Sequence, residues 1–241
     1  MIKNGNNYDK FYRNGKLYGK GFFNGIQILK SQPNPALILD IDFQNDYENN
    51  VFGGLQMEAS GSSPTFVSGR NGNDFAAYFN GLQSIKTIAP LDLQSDKVSV
   101  AFWIKTSQNN VGIVCELSEE VDSNNAFFIA FNHIAPDYFT LRDGIGGDIS
   151  QNILQKGTDW FHIVAVIDRT DFNKICKIYI NGVENSEIIQ QSFNYHGNFS
   201  SNIFYIGQRA GYSLGFIGAV QDFKVYKKAL TQQEITTLYN Y

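Results

Sequence analysis

Residues 204–239 read FYIGQRAGYSLGFIGAVQDFKVYKKALTQQEITTLY, and this stretch decides the fold. Within it, residues 216–227 alternate: Ile217, Ala219, Phe223 and Val225 fall on one face, Asp222 and Lys224 on the other. A period of two marks a strand with one face on a core. Thr231 followed by Glu234 spells a capping box, in which a hydroxyl and a carboxylate satisfy amides left open at a helix start. Ile235 and Leu238 give that short helix a face to dock. A strand, a polar turn and one short helix close a β-domain.

Working outward, further strands fall into place. Residues 98–106 (VSVAFWIKT) put Val98, Val100, Phe102 and Ile104 on one face and Ala101 and Trp103 on the other. Both faces are apolar, which predicts a central strand covered on each side. Residues 160–167 (WFHIVAVI) read the same way. Residues 176–180, Asn181-Gly182 and 183–184 spell a hairpin, and 76–79, Asn80-Gly81 and 84–88 spell another. Strands are also expected at 36–43 (ALILDIDF), near 65–67, and at 112–117, 126–132 and 138–142. With one helix and no strand–helix–strand alternation, the chain is all-β, with two packed antiparallel sheets.

Composition agrees. The 241 residues are sparse in charge and rich in Gly, Tyr and Phe, which favours strands and turns. A net charge of −4 leaves no basic footprint, so nucleic acid is not an expected partner. No run reaches the roughly 18 apolar residues of a membrane span, so no membrane partner is expected either. The opening MIKNGNNYDKFYRNG lacks the apolar stretch of a secretory signal. Cys115 and Cys176 sit in apolar strand-like runs and read as buried thiols.

The first 30 residues form a separate piece. Asn-Gly recurs at Asn4-Gly5, Asn14-Gly15 and Asn24-Gly25, a step of ten residues. Asn-Gly suits the tightest hairpin turns because both residues tolerate positive φ. Residues 1–30 are therefore expected to be an N-terminal β-meander arm. Its aromatics (Tyr8, Phe11, Tyr12, Tyr18, Phe22, Phe23) exceed what so short a piece can bury alone. It should pack on the main domain, on a second copy in a homo-oligomer, or in a larger assembly. Residues 31–36, with Pro33 and Pro35, read as a linker, and 37–241 as the main domain.

The ordered set ALILDIDF, FNGLQSIKTIAP, VSVAFWIKT, DWFHIVAVID, IYINGVE and FIGAVQDFKVYKKALTQQEI resembles the laminin-G-like, concanavalin A-like lectin/glucanase family. Trp160 with His162, and the ending Tyr226, Ala229-Leu230, Glu234, carry the likeness further. The resemblance implies a two-sheet antiparallel β-sandwich (jelly roll) with one short C-terminal helix, used mostly for glycan binding, adhesion or display. Some relatives hold a structural calcium near the first strand and the last. By that likeness Asp42 and Asp222 are the candidate metal residues, with Asp40 and Asp46 nearby, and Gln221 stands where the family usually has an acid. Residues 1–36 lie outside this match and resemble the leader arms of tailed-phage structural proteins.

Catalytic patterns fail one by one. Glucanases of this fold resemble one another in a Glu-x-Asp strand that ends in a second Glu, supplying two carboxyls about 5–5.5 Å apart for retaining hydrolysis. The nearest run, Glu120-Val121-Asp122-Ser123-Asn124-Asn125, has asparagine where that last carboxylate is required. Gly211-Tyr212-Ser213-Leu214-Gly215 spells a nucleophile elbow, but no helix and no histidine follow it. His133, His162 and His196 are scattered, and His162 reads as a hydrogen-bonded core imidazole.

Sugar sites favour an aromatic ring face beside polar groups. Three loops hold that inventory and form the expected ligand rim: Arg142, Asp143 and Asp148; Tyr195, His196 and Asn198; Arg209 and Tyr212. The favoured reading is a non-catalytic binding and display module. It is a phage virion structural protein, a fibre or decoration, whose arm (residues 1–36) contacts other virion proteins and whose main domain contacts glycans or a host surface. The alternative is a secreted bacterial carbohydrate-binding lectin, which would be extracellular, and behind it an unusual glycan hydrolase.

Overall fold

The computed structural model describes residues 34–51, 53–118, 126–133, 136–144, 148–151, 157, 159–170, 175–184, 186–188, 198–199, 201–208 and 214–241, with backbone segments before residue 30. Those segments are β1 (Ile2–Lys3), β2 (Asn6–Asn7), β3 (Tyr12–Arg13), β4 (Lys16–Leu17), β5 (Gly21–Phe23) and β6 (Ile26–Ile28). They pair β1 with β2, β3 with β4 and β5 with β6, each across one of the Asn-Gly pairs. These are three separate two-stranded ladders rather than the single continuous meander expected.

The main body begins with β7 (Leu37–Ile41), β8 (Met57–Ala59), β9 (Thr65–Ser68), β10 (Phe75–Asn80) and β11 (Ile85–Thr87). It continues with β12 (Lys97–Lys105), β13 (Gly112–Leu117), β14 (Phe127–Phe131), β15 (Phe139–Asp143) and β16 (Asp148–Gln151). Then come β17 (Phe161–Asp168), β18 (Ile175–Ile180), β19 (Val183–Glu184), β20 (Ser186–Ile188), β21 (Phe204–Ile206), β22 (Ile217–Tyr226) and helix α1 (Gln232–Tyr239). They form two antiparallel eight-stranded sheets. One runs β19-β18-β17-β12-β22-β10-β9, with β7 also on β22; the other runs β20-β16-β15-β14-β13-β21-β11-β8.

Phenylalanines from both sheets fill the space between them. Phe102 and Phe223 stack at 5.4 Å, Phe204 meets Phe223 at 5.9 Å, and Phe127 meets Phe204 at 6.2 Å. Both cysteines are buried, and they are not joined in a disulfide. On the far side of the first sheet, Ala101, Val164 and Val166 are covered by Leu230 and Ile235 of the closing segment. This is why β12 and β17 are apolar on both faces: one faces the sandwich core, the other faces α1. The helix starts as its capping box requires, with the Thr231 side chain accepting from the Glu234 amide.

Two further expectations need correction. The run 76–88 is not a hairpin: β10 belongs to the first sheet and β11 to the second. Phe79 and Ile85 must both face the core, and Asn80-Gly81 is the corner that carries the chain across, with the Gly81 amide donating to Phe216 O at 3.0 Å.

The alternation of β22 also breaks. Asp222 has φ of 51°, and pairing with β12 shifts between Ala101 and Trp103. One extra residue in β22 makes a β-bulge, and a bulge reverses which face each side chain takes. Phe223 and Val225 face the core as expected, but before the bulge it is Phe216 and Val220 that do so. Ile217 and Ala219 are turned to the outer face.

Candidate functional site

That reversal shapes the outer surface of the first sheet. Across three neighbouring strands, Tyr78 pairs with Ala219 and Ala219 pairs with Lys105. With strands about 4.8 Å apart, the outer residues of this row stand about 10 Å from each other. A small residue between an aromatic ring and a lysine leaves a trough. It is an open cleft of about 350 Å³, lined among others by Val67, Ser68, Tyr78, Lys105, Ser107 and Ala219.

The end of the cleft is held by buried polar groups. Thr106 Oγ1 donates to Ile217 O at 2.6 Å. Gln108, also buried, donates to Gly215 O at 3.1 Å and accepts from the Ile217 amide at 2.8 Å. Gly218 is needed here, because a Cβ would lie 2.5 Å from the Lys105 carbonyl oxygen. The Lys105 ammonium lies 5.1 Å from the centre of the Trp160 ring, a cation–π contact.

The next row along the same face is Gln221, Trp103 and His162. Gln221 is buried; it accepts from the Arg70 amide at 2.9 Å and donates to Asp74 at 2.7 Å. These bonds tie the turn between β9 and β10 to the sheet and set Arg70 over Trp103, 4.5 Å from the ring centre. Trp103 also stacks on Tyr239 of α1 at 5.7 Å and meets His162 at 5.1 Å. His162 is buried on this outer face rather than between the sheets, which corrects its expected place in the core, and among the described residues its Nδ1 has no hydrogen-bond partner. Burial, then the charges of Arg70 and Lys224, push its pKa down to about 4.

Of the loop residues expected to form a rim, Arg142, Asp143, Asp148 and Asn198 fall within the described residues. Asp143 is only 1% exposed and forms an ion pair with equally buried Arg169, a correction to its place on the rim. Arg142 is half-buried, donates to Gly144 O at 3.3 Å and lies 5.8 Å from the centre of the Phe128 ring. Asp148 belongs to β16 in the second sheet, and Asn198 is exposed. Tyr195, His196, Arg209 and Tyr212 lie outside the described residues, as do Glu120, Asp122 and Ser213.

The candidate metal residues Asp42 and Asp222 each have a protein partner. Calcium takes six to eight oxygens. Asp222 faces Arg70 at 3.6 Å, and Asp42 accepts the amide of Gln44 at 3.3 Å to close its own turn. Among the described residues no three Asp, Glu, His or Cys side chains gather as a metal site. At the position of the family's usual acid, the Gln221 amide makes direct hydrogen bonds instead.

The cleft residues were legible one by one but not as a set. Tyr78 in AAYFN and Lys105 in WIKT both alternate outward, yet the row needs Ala219, which only the bulge at Asp222 turns toward them.

Comparison with known proteins places this geometry. The chain is 25% identical to human usherin over 192 residues, 77% of this chain, and 23% identical to mouse usherin over 152 residues, 60% of it. It spans about 3% of the length of either relative. Among solved structures it resembles domain 4 of AbnA, a GH43 extracellular arabinanase from Geobacillus stearothermophilus, in complex with arabinotriose. That likeness has a TM-score of 0.65 at 21% identity and covers 84% of this chain and 98% of that one. It also resembles the binding domain of Paraclostridial Mosquitocidal Protein 1, with a TM-score of 0.64 at 16% identity over 85% of this chain and 52% of that one. The binding domain of botulinum neurotoxin DC in complex with SialylT gives 0.63 at 16% identity, over 86% and 51%. Residues 79–236 match the family model described as the concanavalin A-like lectin/glucanases superfamily, and the chain belongs to that family.

Proposed function

We propose that the protein is a non-catalytic carbohydrate-binding and display module whose outer-face cleft takes the sugar. The observation that carries this reading is the row Tyr78, Ala219, Lys105: an aromatic face, a small floor and a polar end in one trough. A sugar ring lays its apolar face on such a floor while directed polar groups meet its hydroxyls. The resemblance to a domain solved with arabinotriose supports the same use. Among the described residues that line the cleft none carries a carboxylate, whereas glycosidic cleavage employs a pair of acids.

The N-terminal arm is the assembly element in this reading. Two-stranded ladders are marginal alone, and three in succession suit docking into a larger particle, a virion above all. A secreted lectin is the alternative. Among the described residues no helix is long and apolar enough to cross a membrane.

A glycan array probed with the full chain tests the reading. Binding to a defined set of glycans, reduced at least tenfold by Tyr78→Ala with an unchanged melting temperature, is the expected result. Absence of any bound glycan, or binding indifferent to Tyr78→Ala, removes the cleft from the account. Deleting residues 1–36 should leave the sandwich folded and the binding intact while abolishing assembly.

A further inference from the structure

We infer that the cleft selects sugars carrying a carboxylate, with the Lys105 ammonium as the anion's partner; this rests on the carbohydrate-binding reading above. Carboxylate and amide side chains are strong acceptors for the hydroxyls of a neutral sugar. Among the described residues that line the cleft, none is Asp, Glu, Asn or Gln.

What the described lining offers is hydroxyls and one cation. Thr106 is already engaged, donating to Ile217 O and accepting the Gln108 amide at 3.1 Å. That leaves the exposed hydroxyls of Ser68 and Ser107 and the ammonium of Lys105. Other lysines on this sheet have carboxylate partners: Lys224 meets Asp40 at 2.6 Å, Lys97 meets Asp168 at 2.9 Å, and Lys177 meets Glu184 at 3.0 Å. Lys105 has none among the described residues, and its ammonium lies over the face of Trp160. The acids of the neighbouring row, Asp74 and Asp222, are taken up by Gln221 and Arg70. A cation held beside a ring, with serine hydroxyls nearby and no acid among the described lining residues, fits an incoming carboxylate, and Tyr78 supplies the stacking surface for the ring that bears it.

Calorimetric titration of the full chain tests this with paired probes: an oligogalacturonate against the same oligosaccharide after carboxyl reduction, and sialyllactose against lactose. The expected result is that at least one acidic member binds ten or more times tighter than its neutral partner. Lys105→Met should erase that preference, Lys105→Arg should keep most of it, and the melting temperature should not move. Which pair shows the preference distinguishes a uronate from a sialic acid as its source. Equal binding of acidic and neutral members, or a preference that survives Lys105→Met, overturns the inference and leaves the carbohydrate reading standing. Binding of neither member of either pair, together with an empty glycan array, overturns both.

Discussion

Arg169 and Asp143 form an ion pair in which both side chains are 1% exposed, with Arg169 lying 3.6 Å from the centre of the Phe199 ring. Asp143 ends β15 in the second sheet and Arg169 follows β17 in the first, so the pair bridges the two layers. Removing one partner leaves the other charge buried and uncompensated, which costs about 3–5 kcal/mol. Asp143→Ala should therefore lower stability by that amount in urea unfolding. Replacing both partners by apolar residues of similar volume should recover much of the loss.

The bulge in β22 makes a second prediction. Asp222 holds φ of 51°, a conformation that costs most side chains about 1–2 kcal/mol and glycine almost nothing. Asp222→Gly should leave the unfolding midpoint nearly unchanged, and Asp222→Val should lower stability by about 1–2 kcal/mol. The ion pair with Arg70 at 3.6 Å is partly exposed and contributes little. Equal loss in both variants would contradict this account of the bulge.

His162 sets a pH dependence. Its pKa is lowered from 6.5 to about 4 in the folded chain. Between those values the unfolded chain binds a proton that the folded chain does not, so stability falls as pH falls through this window. The contribution is fully present above pH 6.5, is lost toward pH 4, and amounts to about 3 kcal/mol. Chemical unfolding at stepped pH should show the slope, and His162→Phe should flatten it. A slope unchanged in that variant would place its origin elsewhere.

The helix cap is the simplest case. The Thr231 hydroxyl accepts from the Glu234 amide and the Glu234 carboxylate accepts from the Thr231 amide at 3.0 Å. Thr231→Ala should cost about 1 kcal/mol, read as a lower melting temperature, and Thr231→Ser should restore it.

How far the sequence revealed this molecule depends on the range of each signal. The capping box and the Asn181-Gly182 hairpin, with φ of 52° and 80° at its two turn residues, are local and were legible. The double-faced strands β12 and β17 were legible too, because burial on both sides leaves apolar residues in every register. The Asn80-Gly81 corner was misread since a sheet change and a hairpin use the same turn residues. The bulge at Asp222 was invisible, because an extra residue shows only against the partner strand. With it went the face of Ala219, and hence the cleft. Asp143 looked like a loop acid because its partner, Arg169, lies 26 residues away.

The most direct test is to map amide shifts in the isotopically labelled full chain as it is titrated with the saccharide that the array identifies. The account expects the changes to centre on Ser68, Tyr78, Lys105, Ser107 and Ala219. Changes confined to the loop ends near Arg142 and Asn198, with the cleft silent, would contradict it.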